Sequence, residues 1–222
     1  MVALRAIAAA VALAGLTAAQ ERISFPTQDG CVIYADMYGK GDRGVVLAHG
    51  GRFYRDSWRT QAKALAAAGF RVLAIDFRGE GQSRALKGRP PDEGRHFDIL
   101  AAVHYLRKTH ATSVSVVGAS MGGDYAAEAA EAEPGAIDRL VLLASGAYTP
   151  LIRMTGPKLF MVARDDANAE GPRLPAIRTQ FERSPDPKEL IILDGSAHAQ
   201  FLFRTDQGDR VMRELLRFLS SP

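Results

Sequence analysis

The chemistry of this chain is indicated first by the pentapeptide Gly118-Ala119-Ser120-Met121-Gly122. It follows a β-branched run and precedes an alanine-rich helical pattern, as expected where a serine occupies a sharp turn between a strand and a helix. Glycines two residues either side suit such a turn, because side chains there would collide with neighbouring backbone. The pattern predicts a nucleophile elbow and acyl transfer through a covalent ester of Ser120. The alternative is an ordinary glycine-rich turn of a parallel sheet.

A neutral serine is a weak nucleophile and needs a histidine base held by an acid. Among five histidines, His198 is the candidate because it follows the last predicted strand, and parallel sheets place their sites at the carboxyl ends of strands. His49 is interpreted as shaping a turn. The other three are interpreted as surface or helix-side residues: His96, His104 and His110.

The acid is expected at a strand end between Ser120 and His198 in chain order. Asp165 and Asp166 both follow a predicted strand there. Two adjacent carboxylates cannot both face one imidazole, so one of them is predicted to be solvated. Asp194 competes for the role, but it belongs to the strand end of the histidine itself and is interpreted as bracing that loop.

The negative charge that develops on a substrate oxygen requires preorganised backbone N–H donors. Met121, the residue after the serine, is predicted to supply one donor through its backbone. The second is expected from the turn after the apolar run Val45–Ala48, where glycines allow close backbone approach. Gly51 is the first candidate for this second donor, and Arg52 is the alternative.

A scaffold must hold these residues, and the hydrophobic pattern alternates strands with helices. The predicted strands are 45–48, 71–77, 113–117, 140–144, 158–163 and 189–193, after a hairpin over 23–38 with an Asp29-Gly30 turn. The predicted helices are 57–68, 95–109, 123–132, 172–183 and 208–219, the first capped by Ser57 and ended by Gly69. The sequence therefore predicts an α/β fold, a mostly parallel sheet with helices on both faces and an N-terminal antiparallel hairpin.

Composition limits the classes of function. With 222 residues, 47% of them hydrophobic, the chain can bury one sizeable core in one domain. A net charge of +3, with basic residues scattered among acidic ones, argues against nucleic-acid and membrane-surface partners. The histidines lack metal-ligand spacing and the single cysteine, Cys31, cannot pair within the chain. We therefore predict no metal and no organic cofactor.

Residues 1–19 differ from the rest: a short basic start, an apolar run from Ala6 to Leu16 and a small-residue stretch ending at Ala19. This layout predicts a signal peptide, with a hydrolytic domain over 20–222. The run is too short for a membrane span, which needs about 20 apolar residues. An exported protein, periplasmic or secreted, is expected. The alternative is a cytoplasmic protein with an N-terminal extension.

With these residues identified, the chain resembles the α/β-hydrolase superfamily over nearly all of residues 20–222. His49-Gly50 is similar to the family's oxyanion strand end, and Asp76–Ser83 resembles its Asp-x-Arg-Gly-x-Gly-x-Ser loop. The resemblance implies that this loop is structural. The turn ending in Asp165-Asp166 resembles the family's Gly-x-x-Asp turn, with Ala163 in place of glycine, which points to Asp166 as the acid. That replacement keeps Asp165 open.

The resemblance also bears on access to the site. Many members insert a helical cap before the acid strand, yet only Ser145–Pro157 is available here, which is too short. The chain is thus similar to compact, lidless esterase-like and dienelactone-hydrolase-like members. Substrate contacts are expected from the loops Arg52–Trp58 and Arg84–Arg95. Arg52 and Arg55 are predicted to be solvated, the alternative being recognition of an anionic acyl group.

These inferences converge on a serine hydrolase acting on a small ester, thioester or related acyl compound, with the oligomeric state left open. Its predicted site comprises Ser120, His198 and Asp166 as the catalytic triad, with the backbone of Gly51 and Met121 as oxyanion hole. A non-catalytic binding or signalling module of the same fold is one alternative and predicts a broken triad. A lyase or perhydrolase that keeps the triad is another.

Overall fold

A computed structural model describes residues 20–146 and 149–221. The signal peptide expected at 1–19 lies outside the described residues and stays a prediction. Within the described part, the α/β class and the hairpin predicted from the sequence are confirmed.

Eight strands form one mixed sheet in the order β1-β2-β4-β3-β5-β6-β7-β10. Their bounds are β1 Glu21–Pro26, β2 Val32–Tyr38, β3 Arg43–Ala48, β4 Phe70–Ile75, β5 Ser113–Ala119, β6 Arg139–Leu143, β7 Lys158–Ala163 and β10 Lys188–Leu193. A separate two-stranded ribbon joins β8 (Ala167–Asn168) to β9 (Gly171–Pro172). The helices are α1 Arg59–Ala67, α2 Arg95–Lys108, α3 Met121–Ala132, α4 Leu174–Arg183 and α5 Gly208–Ser220.

The hairpin β1–β2 and the pair β2–β4 are antiparallel, and every other pairing in the large sheet is parallel. Strand β5 lies between β3 and β6 at the centre. Strands β3, β5, β6 and β7 are buried over nearly all of their length because helices cover both faces of this part of the sheet. The parallel arrangement brings the carboxyl ends of β3, β5, β7 and β10 to one edge, which is where the predicted site residues begin.

Two hydrophobic clusters pack on opposite faces of the sheet. One contains the buried sides of α2, α3 and α4, and the other contains those of α1 and α5. Helix α3 buries only alanine and glycine, so it can lie close to the sheet directly behind the serine. The fold thus fixes the start of α3 firmly against β5.

The predicted helices and strands all occur, with shifts of a few residues at their ends. The predicted cap of the first helix is wrong: a 3-10 turn at Arg55–Trp58 precedes α1, and the Ser57 hydroxyl donates to the carbonyl oxygen of Tyr54 (2.6 Å). Gly69 ends the helix as predicted, with a φ of +88° that other residues rarely adopt.

Only the segment 144–157 connects β6 to β7, so the chain has no cap domain of the kind inserted there. Among the helices found in 20–146 and 149–221, none is long and apolar enough to cross a bilayer.

Candidate active site

Ser120 occupies the turn between β5 and α3 in a strained conformation, with φ of +48° and ψ of −120°. Its backbone N–H is held by the carbonyl oxygen of Leu143 on β6 (2.9 Å). A Cβ at Gly118 would lie 2.5 Å from the Gly122 oxygen, and a Cβ at Gly122 would overlap the backbone at the end of β3. Both glycines of the pentapeptide are therefore required by close packing at this strand-to-helix turn.

His198 and Asp166 converge on this serine from the ends of β10 and β7. The Ser120 Oγ lies 2.8 Å from His198 Nε2, and His198 Nδ1 lies 2.7 Å from Asp166 Oδ2. Because a carboxylate only accepts hydrogen bonds, Nδ1 carries the hydrogen and Nε2 presents its lone pair to the serine hydroxyl. Asp166 is 1% exposed and His198 is 30% exposed, so the acid is buried beneath a base that faces the cleft.

The structure distinguishes among the three aspartates considered as the partner of His198. Asp165 is exposed, and its side chain makes no contact with the imidazole. Asp194 is also exposed: its backbone oxygen accepts a hydrogen bond from Gln207 (3.1 Å), as expected of a residue that braces its own loop. Of the three carboxylates that the sequence offered, only the one at Asp166 reaches His198.

The residues of the predicted oxyanion donors, Gly51 and Met121, line the same cleft as the serine. An added Cβ at Gly51 would be 3.6 Å from Met121 Sδ, so the turn after β3 and the start of α3 are in contact. Within 20–146 and 149–221, the backbone N–H groups of Gly51 and Met121 have no protein acceptor. The Gly50 N–H instead donates to Gln200 Oε1 (3.3 Å). Arg52 also borders the cleft, so it stays the alternative to Gly51.

Two clefts meet at Ser120. The larger, of about 670 Å³, carries an aromatic wall formed by Phe53 and Phe201, whose rings pack edge to face at 5.1 Å. The smaller, of about 250 Å³, lies against Asp124 and Ser145. The larger cleft is lined by the loop segments Gly50–Phe53 and Ala167–Ala169 and by His198, Ala199 and Phe201. The smaller cleft is lined by Asn168 and Glu170–Arg173.

The smaller cleft is polar. The Ser145 hydroxyl donates to Asp124 Oδ1 (2.7 Å), and burial raises the pKa of Asp124, which this hydrogen bond only partly opposes. Arg173 borders both clefts and places its Nε 3.5 Å from Asp166 Oδ1, the carboxylate oxygen that His198 does not use. No sequence pattern predicted Asp124 or Arg173 as part of the site, because Asp124 gains its partner from a distant segment and Arg173 is brought back to Asp166 by the β8–β9 ribbon.

Two expectations about the loops are wrong. Residues 84–95 line neither cleft, and the β8–β9 ribbon takes their place. Arg55 is not solvated: it is buried in an ion pair with Asp76 and lies 3.2 Å from Asp36 Oδ2. Arg52 is exposed, as predicted.

The loop Asp76–Ser83 is held by buried polar contacts, in agreement with a structural role. Arg78, 2% exposed, contacts both Asp98 (2.8 Å) and Asp29 (2.6 Å). The Ser83 hydroxyl donates to the Asp76 carbonyl oxygen (2.8 Å). These contacts hold the loop against the start of α2, which keeps it away from the clefts.

The other histidines lie apart from the triad. His96 and His104 contact glutamates of the α3 region, and His110 is exposed at the end of α2. In the described ranges, no three His, Cys, Asp or Glu side chains are grouped so that they could hold a metal ion.

Comparison with known proteins agrees with this fold. The family model described as "alpha/beta hydrolase fold" matches residues 44–217. The non-heme chloroperoxidase CPO-A1 of Kitasatospora aureofaciens is 37% identical over 99 residues, which is 44% of this chain and 34% of that protein. The bifunctional epoxide hydrolase 2 of Sus scrofa is 40% identical over 82 residues, 36% of this chain and 14% of that protein. The chain spans less than half the length of these curated relatives.

Solved structures share the fold over most of the chain. The esterase Pf2001 of Pyrococcus furiosus superposes with a TM-score of 0.75 at 19% identity, covering 91% of this chain and 94% of that one. A dienelactone hydrolase of Anabaena variabilis gives 0.76 at 19% identity, covering 91% and 97%. At these identities the likeness concerns the fold alone.

Proposed function

Because the chain belongs to the α/β-hydrolase fold family, we propose that it is a serine hydrolase that cleaves a small ester, thioester or related acyl compound through an acyl-enzyme on Ser120. The observation that carries this proposal is the continuous hydrogen-bonded line from Ser120 Oγ through His198 to Asp166. Non-catalytic modules of this fold usually have a broken triad, and the contacts among Ser120, His198 and Asp166 lend that alternative no support.

The reaction follows from the protonation pattern of this line. His198 Nε2 accepts the proton of Ser120 Oγ as the oxygen attacks the acyl carbon, and it then returns that proton to the leaving group. Asp166 keeps the ring in the required tautomer and stabilises the imidazolium that forms. Water, activated by the same His198 nitrogen, then releases the acid and restores the serine.

Negative charge on the substrate oxygen is stabilised by the backbone N–H groups of Gly51 and Met121. Their lack of protein acceptors leaves them free to bind an oxyanion. Such donors act mainly in the transition state, so they raise kcat more than they lower KM.

The shape of the clefts supports a small substrate that is partly apolar. Phe53 and Phe201 offer an aromatic wall beside the serine, while the smaller cleft offers Asp124 and Ser145 to a polar group. With only the segment 144–157 between β6 and β7, the cleft is open to solvent. A small-molecule acyl compound fits such a site better than a long chain that needs enclosure.

The test is labelling by a fluorophosphonate together with turnover of p-nitrophenyl acetate and butyrate. Wild type should react with both, and Ser120→Ala should lose labelling and about 10⁶ in kcat. Ser24→Ala, which removes an exposed hydroxyl of β1, is the matched control and should behave as wild type. Equal labelling of wild type and Ser120→Ala would refute the assignment.

A second candidate is transfer of the acyl group to hydrogen peroxide, which forms a peracid in place of the acid. The similarity to a protein named non-heme chloroperoxidase favours testing it. Product analysis of ester turnover in the presence of peroxide distinguishes the two: peracid formed in excess of acid would support the transfer, and acid alone would exclude it.

We also propose that residues 1–19 act as a signal peptide and that the hydrolytic domain, 20–222, is exported. The support is the sequence pattern alone. Expression of the full chain, followed by N-terminal sequencing of the exported protein, tests this; a protein retained in the cytoplasm with its first residues intact would refute it.

A further inference from the structure

His49, at the end of β3, is a fully buried histidine that the triad does not use. Its Nδ1 lies 2.9 Å from the carbonyl oxygen of Gly50. A carbonyl oxygen only accepts hydrogen bonds, so Nδ1 carries a hydrogen. The ring also packs edge-on against Phe77, with centroids 5.2 Å apart. His49 therefore fixes the backbone immediately before Gly51.

The other ring nitrogen of His49 faces a glutamate. Nε2 lies 3.2 Å from Glu80 Oε2, and neither of these two buried atoms is hydrogen-bonded to any described residue. If His49 were neutral and Glu80 ionised, two lone pairs would meet, so the contact requires one proton between them. Burial lowers the pKa of His49 and raises the pKa of Glu80, and both shifts favour an uncharged pair in which the proton lies on Glu80 beside Nε2.

The second carboxylate oxygen of Glu80 contacts Arg95, which in turn contacts Met121. Glu80 Oε1 accepts a hydrogen bond from Arg95 Nη2 (2.9 Å). Arg95 Nη1 in turn contacts Met121 Sδ (2.6 Å). The Arg95 guanidinium also lies 5.7 Å from the ring centroids of both Phe77 and Tyr125, and its side chain is only 11% exposed. Arg95 is thus fixed from several sides where it meets Met121.

These contacts form one path from Gly50 through His49, Glu80 and Arg95 to Met121. The path ends at the carbonyl oxygen of Gly50, next to Gly51, and at the side chain of Met121, so it joins the two residues that supply the proposed oxyanion donors. Glu80 is the central polar member of this path, because its carboxylate contacts both His49 and Arg95. It comes from the loop Asp76–Ser83, which buried contacts of Arg78 hold in place.

We propose that Glu80 is a positioning residue of the reaction, which fixes the separation of the Gly51 and Met121 N–H groups through His49 on one side and Arg95 on the other. This inference rests on the proposed serine hydrolase function. Because the donors bind charge that exists only in the transition state, the loss of Glu80 lowers kcat and leaves KM nearly unchanged.

The test compares two substitutions at the same position. Glu80→Ala removes both contacts and should lower kcat for p-nitrophenyl acetate about 10-fold, with KM within about twofold of wild type. Glu80→Gln can still accept from Arg95 and donate to His49 Nε2, so it should restore most of the kcat. Glu93→Ala, at an exposed glutamate nearby in the chain, is the matched control and should behave as wild type.

Other outcomes overturn the inference. The inference is refuted if Glu80→Ala leaves kcat unchanged or changes KM alone. It is also refuted if Glu80→Gln loses as much kcat as Glu80→Ala and has a lower melting temperature than wild type. If Glu80→Ala does not fold, Glu80→Asp shortens the side chain by one methylene and must show the same fall in kcat; an unchanged kcat there would also refute it. A wild type that neither turns over esters nor reacts with fluorophosphonate would refute the proposed function itself, which separates the two failures.

Discussion

Substitution of Asp166 by asparagine tests the proposed triad most sharply, because the chain carries a matched control in the neighbouring residue. Asparagine has nearly the same shape as aspartate, so a side chain that is 1% exposed can be replaced without opening a cavity. The amide can donate a hydrogen to His198 Nδ1. His198 then carries its own hydrogen on Nε2, where the Ser120 hydroxyl needs an acceptor.

The expected loss follows from this change of tautomer. A triad whose acid becomes an amide loses about 10⁴ in kcat, which corresponds to about 5 kcal/mol of transition-state stabilisation. The present distances, 2.7 Å from Asp166 to the ring and 2.8 Å from the ring to the serine, are those of well-formed hydrogen bonds, so we expect the full effect. KM should change little, because substrate does not contact the buried acid.

The assay is steady-state turnover of p-nitrophenyl butyrate by wild type, Asp166→Asn and Asp165→Asn, with the rate of fluorophosphonate labelling as a second measure. Asp165 is exposed, so its asparagine variant should keep kcat within about twofold of wild type. Circular dichroism of each variant establishes that the fold is retained. The reasoning is refuted if Asp166→Asn keeps more than a tenth of the activity, or if the two variants lose activity equally.

Three further predictions concern stability. Gly122→Ala should lower the free energy of unfolding by about 1–3 kcal/mol, measured by urea denaturation, because the added Cβ would overlap backbone atoms. Gly51→Ala, whose Cβ has more room, should be tolerated, and equal urea midpoints for the two variants would contradict this. Asp98→Asn should lower the free energy of unfolding by about 3–5 kcal/mol, or Tm by about 10 °C, because it removes a carboxylate from the buried Arg78. Asp92→Asn, at an exposed aspartate, is the control, and a similar Tm in both variants would contradict the prediction. Burial lowers the pKa of His49, so its contribution to stability is complete above the ordinary value of 6.5 and is lost as the pH falls through the lowered value. Tm should therefore fall more between about pH 7 and about pH 5 in wild type than in His49→Gln, and equal falls would disprove it.

The positions of the proposed nucleophile and base could be predicted from the sequence because local patterns encode strand ends and turns. The Ser120 elbow needs a strand, two glycines and a helix in immediate succession, and His198 follows the last buried strand. Both positions depend only on where strands end, which periodicity reveals.

Other parts of the site depend on contacts between distant segments, which a pattern cannot reveal. Whether Asp165 or Asp166 faces the imidazole depends on the direction of the turn after β7, so residue types left the choice to a family resemblance. The sequence predicts a solvated loop charge at Arg55, whereas the fold brings Asp36 and Asp76 into contact with it. Glu80 likewise acquires its partner only when separate loops come together, and Arg173 reaches Asp166 only because the β8–β9 ribbon between them folds back.

The short ribbon β8–β9 has a consequence for redesign of the protein. It begins directly after Asp166, and its base is closed by the hydrogen bond from the Arg173 N–H to the Asp166 carbonyl oxygen (2.9 Å). Its exposed tip, Ala169 and Glu170, borders the clefts. Residues inserted at the tip would therefore change the shape of the cleft entrance, while the hydrogen bond at the base of the ribbon keeps Asp166 in place. A library of variants at the tip could thus alter substrate selectivity independently of turnover.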